Sequence, residues 1–137
     1  MDDEWSLTEY QPPESEERWF FRKNLDPRTP QGRAAYPYLV YLTLHFVPRD
    51  ASGLPSQEDQ EVLYEMEDNQ LPAIEEPGKA VHVASVIKAG IKDVLFYASD
   101  PDVFLEQAAL VQSRYPQFAV ACEICEDPGW EQYEDFP

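Results

Sequence analysis

The sequence predicts an α+β domain: a ferredoxin-like antiparallel sheet with two helices on one face, plus an extra N-terminal strand. Three observations predict it. From Tyr36 onward, strand-like and helix-like segments follow one another as β-α-β-β-α-β, an aromatic strand precedes them, and 137 residues suffice for one core. Hydrophobic residues make up 43% of the chain and aromatics 13%, too apolar for disorder despite the charge.

Residues 1–17 carry seven acids, no Lys or Arg, and Pro12-Pro13. They read as an acidic N-terminal arm, mobile or docked peripherally, with residues 18–137 as the single α+β domain. Glu17–Lys23, built around Trp19-Phe20-Phe21, has the aromatic density of a strand, and Leu25–Gly32 reads as the turn after it. Tyr36–Val47 is the strongest strand, apolar enough to lie inside the sheet with both faces covered, and Pro48 ends it. Asp50–Gly53 makes a loop, and Pro55 or Ser56 opens a helix with Val62, Leu63, Met66, Gln70 and Leu71 at helical spacing. Pro72 stops or kinks that helix, and residues 75–78 form a turn. Lys79–Lys88 and Ile91–Ala98 read as strands of a hairpin across Ala89-Gly90. Asp100 is the expected N-cap of a second helix with Pro101 at its first position and Val103, Phe104, Ala108, Leu110 and Val111 as its core stripe. Tyr115-Pro116 ends it, Phe118–Ile124 is the last strand, and residues 127–137 form an acidic aromatic tail.

Twenty-seven acids against ten basic residues give a net charge of −17. Such a surface repels nucleic acid and anionic membranes and complements a basic protein surface. Solubility alone also accounts for acidic surfaces. Six of the ten basic residues lie between Arg18 and Arg49, next to the acidic arm, so those two segments are expected to attract each other. The N-terminus lacks the basic and apolar regions of a signal peptide and no apolar run reaches membrane-spanning length, which predicts a cytoplasmic protein.

Few residue patterns point to chemistry. Cys122-x-x-Cys125 has the spacing of a zinc or redox pair, but no second pair accompanies it and it lies on a strand, so two ordinary thiols are expected. His45 and His82 are flanked by apolar strand residues without a nucleophile motif, which favours packing over catalysis. No calcium-loop spacing and no phosphate-cradling Gly-rich loop occurs, so no metal, cofactor or catalytic residue is assigned. The helix face of Glu58, Asp59, Glu61, Glu65, Glu67 and Asp68 reads as solvated or as a docking face. Trp130 and Tyr133 in the tail read either as a strap on the open sheet face or as anchors for a partner.

Gly53-Leu54-Pro55 followed by Glu58, then Leu63 and Glu67-Asp68, Gly90-x-Lys92-Asp93-Val94-Leu95-Phe96-Tyr97 and Asp127-Pro128-x-Trp130-x-x-Tyr133 resemble the bacterial family known as domain of unknown function 695. The likeness runs from Trp19 to Pro137. More distantly, the hairpin is similar to that of the acidic B-type regulator of ribonuclease E. That resemblance implies a protein that modulates a nucleic-acid enzyme by binding it, and it supplies no catalytic residues.

The expected function is therefore a non-enzymatic acidic binding module, a regulator or immunity-type inhibitor that docks on a basic protein such as a nuclease. Glu58, Asp59, Glu61, Glu65, Glu67, Asp68, Trp130 and Tyr133 are its candidate contact residues. The other classes are an enzyme of unrecognised type using His45, His82 and carboxylates, and a small structural or oligomerising domain.

Overall fold

Alternating apolar runs fix where strands form, and their pairing makes one sheet. The computed structural model describes residues 4–27, 29, 32–69 and 80–137. The strands are β1 (Trp5–Tyr10), β2 (Trp19–Asn24), β3 (Tyr38–His45), β4 (Ala80–Lys88), β5 (Ile91–Ala98) and β6 (Ala119–Glu126). The helices are α1 (Gln57–Asn69), α2 (Pro101–Arg114) and α3 (Glu131–Asp135). All neighbouring strands are antiparallel, in the order β1-β2-β4-β5-β3-β6. The protein is thus a mixed α+β fold with a six-stranded antiparallel sheet and, among the described residues, three α-helices. None of these helices is long and apolar enough to cross a membrane.

Strand alternation sorts side chains onto two faces. Val40, Leu42 and Leu44 of β3 and Val94, Phe96 and Ala98 of β5 face both long helices, meeting Leu63 and Met66 of α1 and Phe104, Ala108 and Val111 of α2. Leu110, expected in that stripe, is 48% exposed, because residues 104, 108 and 111 follow the helical repeat and residue 110 falls off it. Asp100 caps α2 as expected, its side chain accepting from the Asp102 amide at 3.0 Å, with Pro101 opening the first turn. The expected helix end at Pro72 and the turn at 75–78, with Gln70 and Leu71, lie outside the described residues.

Leu39, Val81, Leu95 and Tyr97 point to the other face, where the C-terminal tail covers them. A β-bulge between His82 and Ala84 places Val83 and Ala84 both in this second core. The hairpin turns at Ala89 (φ 48°) and Gly90 (φ 82°), both left-handed, as a two-residue turn requires.

Residues 5–10 of the expected arm pair with β2 along its whole length, so the sheet carries two added N-terminal strands instead of one. Part of the attraction expected from the charge pattern is visible here: Arg18 forms an ion pair with Glu9 across that pairing.

The tail is fastened by Asp127, which is 8% exposed. Its amide donates to the Pro37 carbonyl at 2.8 Å. Its carboxylate accepts from the Tyr97 hydroxyl at 2.6 Å and from the amides of Gln132 at 2.9 Å and Glu131 at 3.0 Å. Burial would raise the pKa of this carboxyl, but those hydrogen bonds outweigh it and hold the group below the usual carboxylate range. Trp130 then stacks on Tyr97 with ring centroids 4.1 Å apart, its indole N–H donating to the Tyr36 carbonyl at 3.0 Å. The Tyr133 hydroxyl donates to the Asn24 carbonyl at 2.6 Å. Arg33 closes the clasp, lying over the Trp130 ring and pairing with Glu134 at 2.8 Å.

Because Trp130 fills the centre of the second core, Trp130→Ala is expected to lower unfolding free energy by about 3–5 kcal/mol, measured by urea denaturation.

Candidate functional site

Helix α1 separates two surfaces of opposite character. Glu58, Glu61, Glu65 and Asp68 recur at three- and four-residue spacing, so they form one row along the helix, and all four are exposed. None of the four has an ion-pair partner among the described residues. Asp59 is half-buried beside the row, its amide held by the Ser56 hydroxyl at 3.1 Å, which caps the helix.

Glu67 departs from the expected solvated face. It follows Leu63 by four residues and so turns toward the sheet, where its side chain is only 9% exposed. There it forms an ion pair with Lys92 of β5, itself 2% exposed, and with Arg22 of β2 at 3.3 Å. Burial pushes the Lys92 ammonium pKa down, and the Glu67 carboxylate opposes that shift. Strand alternation carries the signal for this lysine: residues 92, 94, 96 and 98 share one face, so Lys92 had to point under the helices.

Trp130 and Tyr133 also leave the candidate contact set. They are 0% and 4% exposed, because the sheet face opposite the helices needs a cover and the tail supplies it.

Beneath the edge of α1 lies a pocket of about 510 Å³. Arg18 and Arg22 of β2, Lys92 of β5 and Arg49 line it, with Gln60 and Tyr64 of α1 as one wall. Phe20, Ile87, Leu54 and Pro55 supply apolar surface. The loop bearing Leu54 and Pro55 is docked onto the β4–β5 hairpin, where the Gly90 amide donates to the Gly53 carbonyl at 3.0 Å. A Cβ at Gly53 would come within 2.9 Å of the Ala89 backbone, and its φ of 78° is left-handed, so glycine is required for that contact. Two sequence segments that look unrelated, Gly53-Leu54-Pro55 and Gly90-x-Lys92, thereby meet at this pocket. The basic residues that line it come from three separate stretches of chain, and sequence reading alone missed the site.

His45 and His82 are not brought together. Through their β5 partners Ile91 and Phe96 they lie five residues apart in register, about 16 Å along the sheet. His45 is exposed at the strand end, whereas His82 is packed between Trp5 and Phe96, ring centroids 4.9 and 5.0 Å away. Burial, reinforced by the Lys92 and Arg22 cations, lowers the His82 pKa to about 3. Cys122 and Cys125, three apart on β6, point to opposite faces, Cys122 against the helical core and Cys125 exposed. Burial raises both thiol pKa values, so neither has an activated thiolate.

Residues 16–136 match the model of a family of unknown function, DUF695. No curated protein and no solved structure matches the chain.

Two outcomes follow from the buried charges. Glu67→Gln strands the Lys92 ammonium and is expected to cost about 3–5 kcal/mol by denaturant titration, whereas Lys92→Met leaves Glu67 its Arg22 partner and costs less. For His82, the folded pKa lies below the ordinary value of about 6.5, so the unfolded chain binds the proton first as pH falls. Its contribution is complete above that value and is lost toward pH 3. Lowering the pH from 7 to 5 should therefore remove about 2 kcal/mol of stability, and less than half of that in His82→Phe.

Proposed function

Since the chain belongs to the DUF695 family, whose function is unknown, we propose from its surface that it is a non-enzymatic binding module that docks its acidic α1 face on a basic protein. The observation that carries this reading is the row Glu58, Glu61, Glu65 and Asp68, exposed and without a basic partner among the described residues. Four carboxylates spread over eleven residues of helix place one charge about every 5 Å, against about 3.4 Å per phosphate along one strand of a duplex. A row of that density presents a nuclease groove with charge resembling its own substrate and steers fast association. The likeness of the hairpin to the B-type regulator of ribonuclease E supports the same partner class, a nucleic-acid enzyme inhibited or modulated in the cytoplasm. The separation of His45 from His82 supports binding over catalysis.

The same reading takes β3 to β6 as a ferredoxin-like unit extended at one edge by β1 and β2. The order β4-β5-β3-β6, with the apolar stripes of α1 and α2 on one face, supports it.

A partner captured on the immobilised protein should elute as salt rises and be lost when Glu61, Glu65 and Asp68 are all changed to Lys. Capture that persists at high salt and in the triple variant would refute the docking face.

A further inference from the structure

We propose that the pocket under α1 binds a small organic phosphate, an anionic head group on an apolar or aromatic body. This inference rests on a different surface from the docking face and stands without it. Arg18, Arg22, Arg49 and Lys92 converge on one cavity in a chain whose net charge is −17, and among the described residues no carboxylate lines it. A protein this acidic repels anions over most of its surface, whereas four cations in one recess, met by the three carboxylates of Glu9, Asp50 and Glu67, leave a local excess of positive charge.

The acids that meet these cations leave much of their hydrogen-bonding capacity unused. Arg49 reaches Asp50 only at 3.6 Å, an ion pair too long for a hydrogen bond. Arg22 uses one N–H on Glu67 at 3.3 Å, and Lys92 meets the same carboxylate. Arg18 is the most engaged, giving both its Nε and an Nη to Glu9. A guanidinium has five N–H donors and an ammonium three, so the three arginines and the lysine offer more donors than the three carboxylates can accept, and a phosphate ester presents three oxygens.

The guanidinium groups are also preorganised. Arg22 lies over the Trp5 ring at 5.0 Å and Arg18 over the Phe20 ring at 5.5 Å, which restrains their planes. A volume of about 510 Å³ exceeds what inorganic phosphate needs and falls within the range of small-molecule sites. Phe20, Tyr64, Leu54 and Ile87 would receive the apolar body.

Phenyl phosphate, inorganic phosphate and benzoate serve as probes in calorimetric titrations of the full chain. Phenyl phosphate should bind saturably and at least about tenfold more tightly than either of the others. Arg49→Gln alters a partly exposed side chain whose acid is 3.6 Å away, so its melting temperature should hold, and Arg49→Gln and Arg18→Gln should each weaken phenyl phosphate about tenfold, the loss expected for a charge-assisted hydrogen bond. No saturation by phenyl phosphate would overturn the site, as would equal affinity for benzoate or inorganic phosphate, or titrations of both variants identical to the parent chain's.

Discussion

The buried ion pair between Glu67 and Lys92 holds helix α1 on the sheet. A carboxylate and an ammonium taken out of water contribute little net stability, but removing Glu67 strands the Lys92 ammonium, while removing Lys92 leaves Glu67 with Arg22 alone. The pair therefore ties the seating of α1 on β5 to the inward position of Glu67. With Glu67 turned inward, the row Glu58, Glu61, Glu65 and Asp68 must face solvent, and Gln60 and Tyr64 must wall the pocket. Arg22 joins the same carboxylate from β2 and ties the added N-terminal strands to the helix.

The distribution of charge follows from that arrangement. Several of the few basic residues serve to fasten acidic chain ends: Arg18 to Glu9 on β1, Arg33 to Glu134 on α3, and Lys23 to the Phe136 carbonyl at 3.0 Å. Those contacts relieve part of the self-repulsion that a charge of −17 imposes on a compact chain. They leave the outer face of α1 without a basic partner among the described residues, while Arg18, Arg22, Arg49 and Lys92 line the pocket. The molecule thus presents an acidic helix face and a basic recess on either side of one helix.

Local pattern made much of the fold legible. Ile91–Ala98 was readable to the residue, because eight apolar-rich positions lie between a left-handed turn and a helix cap. Asp100-Pro101 announced α2, since capping and a fixed φ act within one turn of chain. What misled was pattern without context. Trp5–Tyr10 carries too few buried positions to look like a strand and becomes one only by pairing with β2. Trp130 and Tyr133 carry the aromatic signature of interface anchors and of core alike, and only the uncovered sheet face decides between them. Glu67 belongs to the acidic surface by residue type and to the buried face by its position four residues after Leu63.

The sequence by itself determined most of the secondary elements, the excess of acid and the absence of any familiar catalytic motif, because each is a property of neighbouring residues or of a sum. The tertiary structure alone decided which charges are solvated and which are buried, since that depends on residues far apart in the chain. Lys92 acquires its meaning from Glu67, and Arg18, Arg22 and Arg49 become one recess only when β2, the loop after β3 and the β4–β5 hairpin meet. Electrostatic interactions act through space and sharpen where water is excluded, and neither distance nor dielectric can be read along a chain.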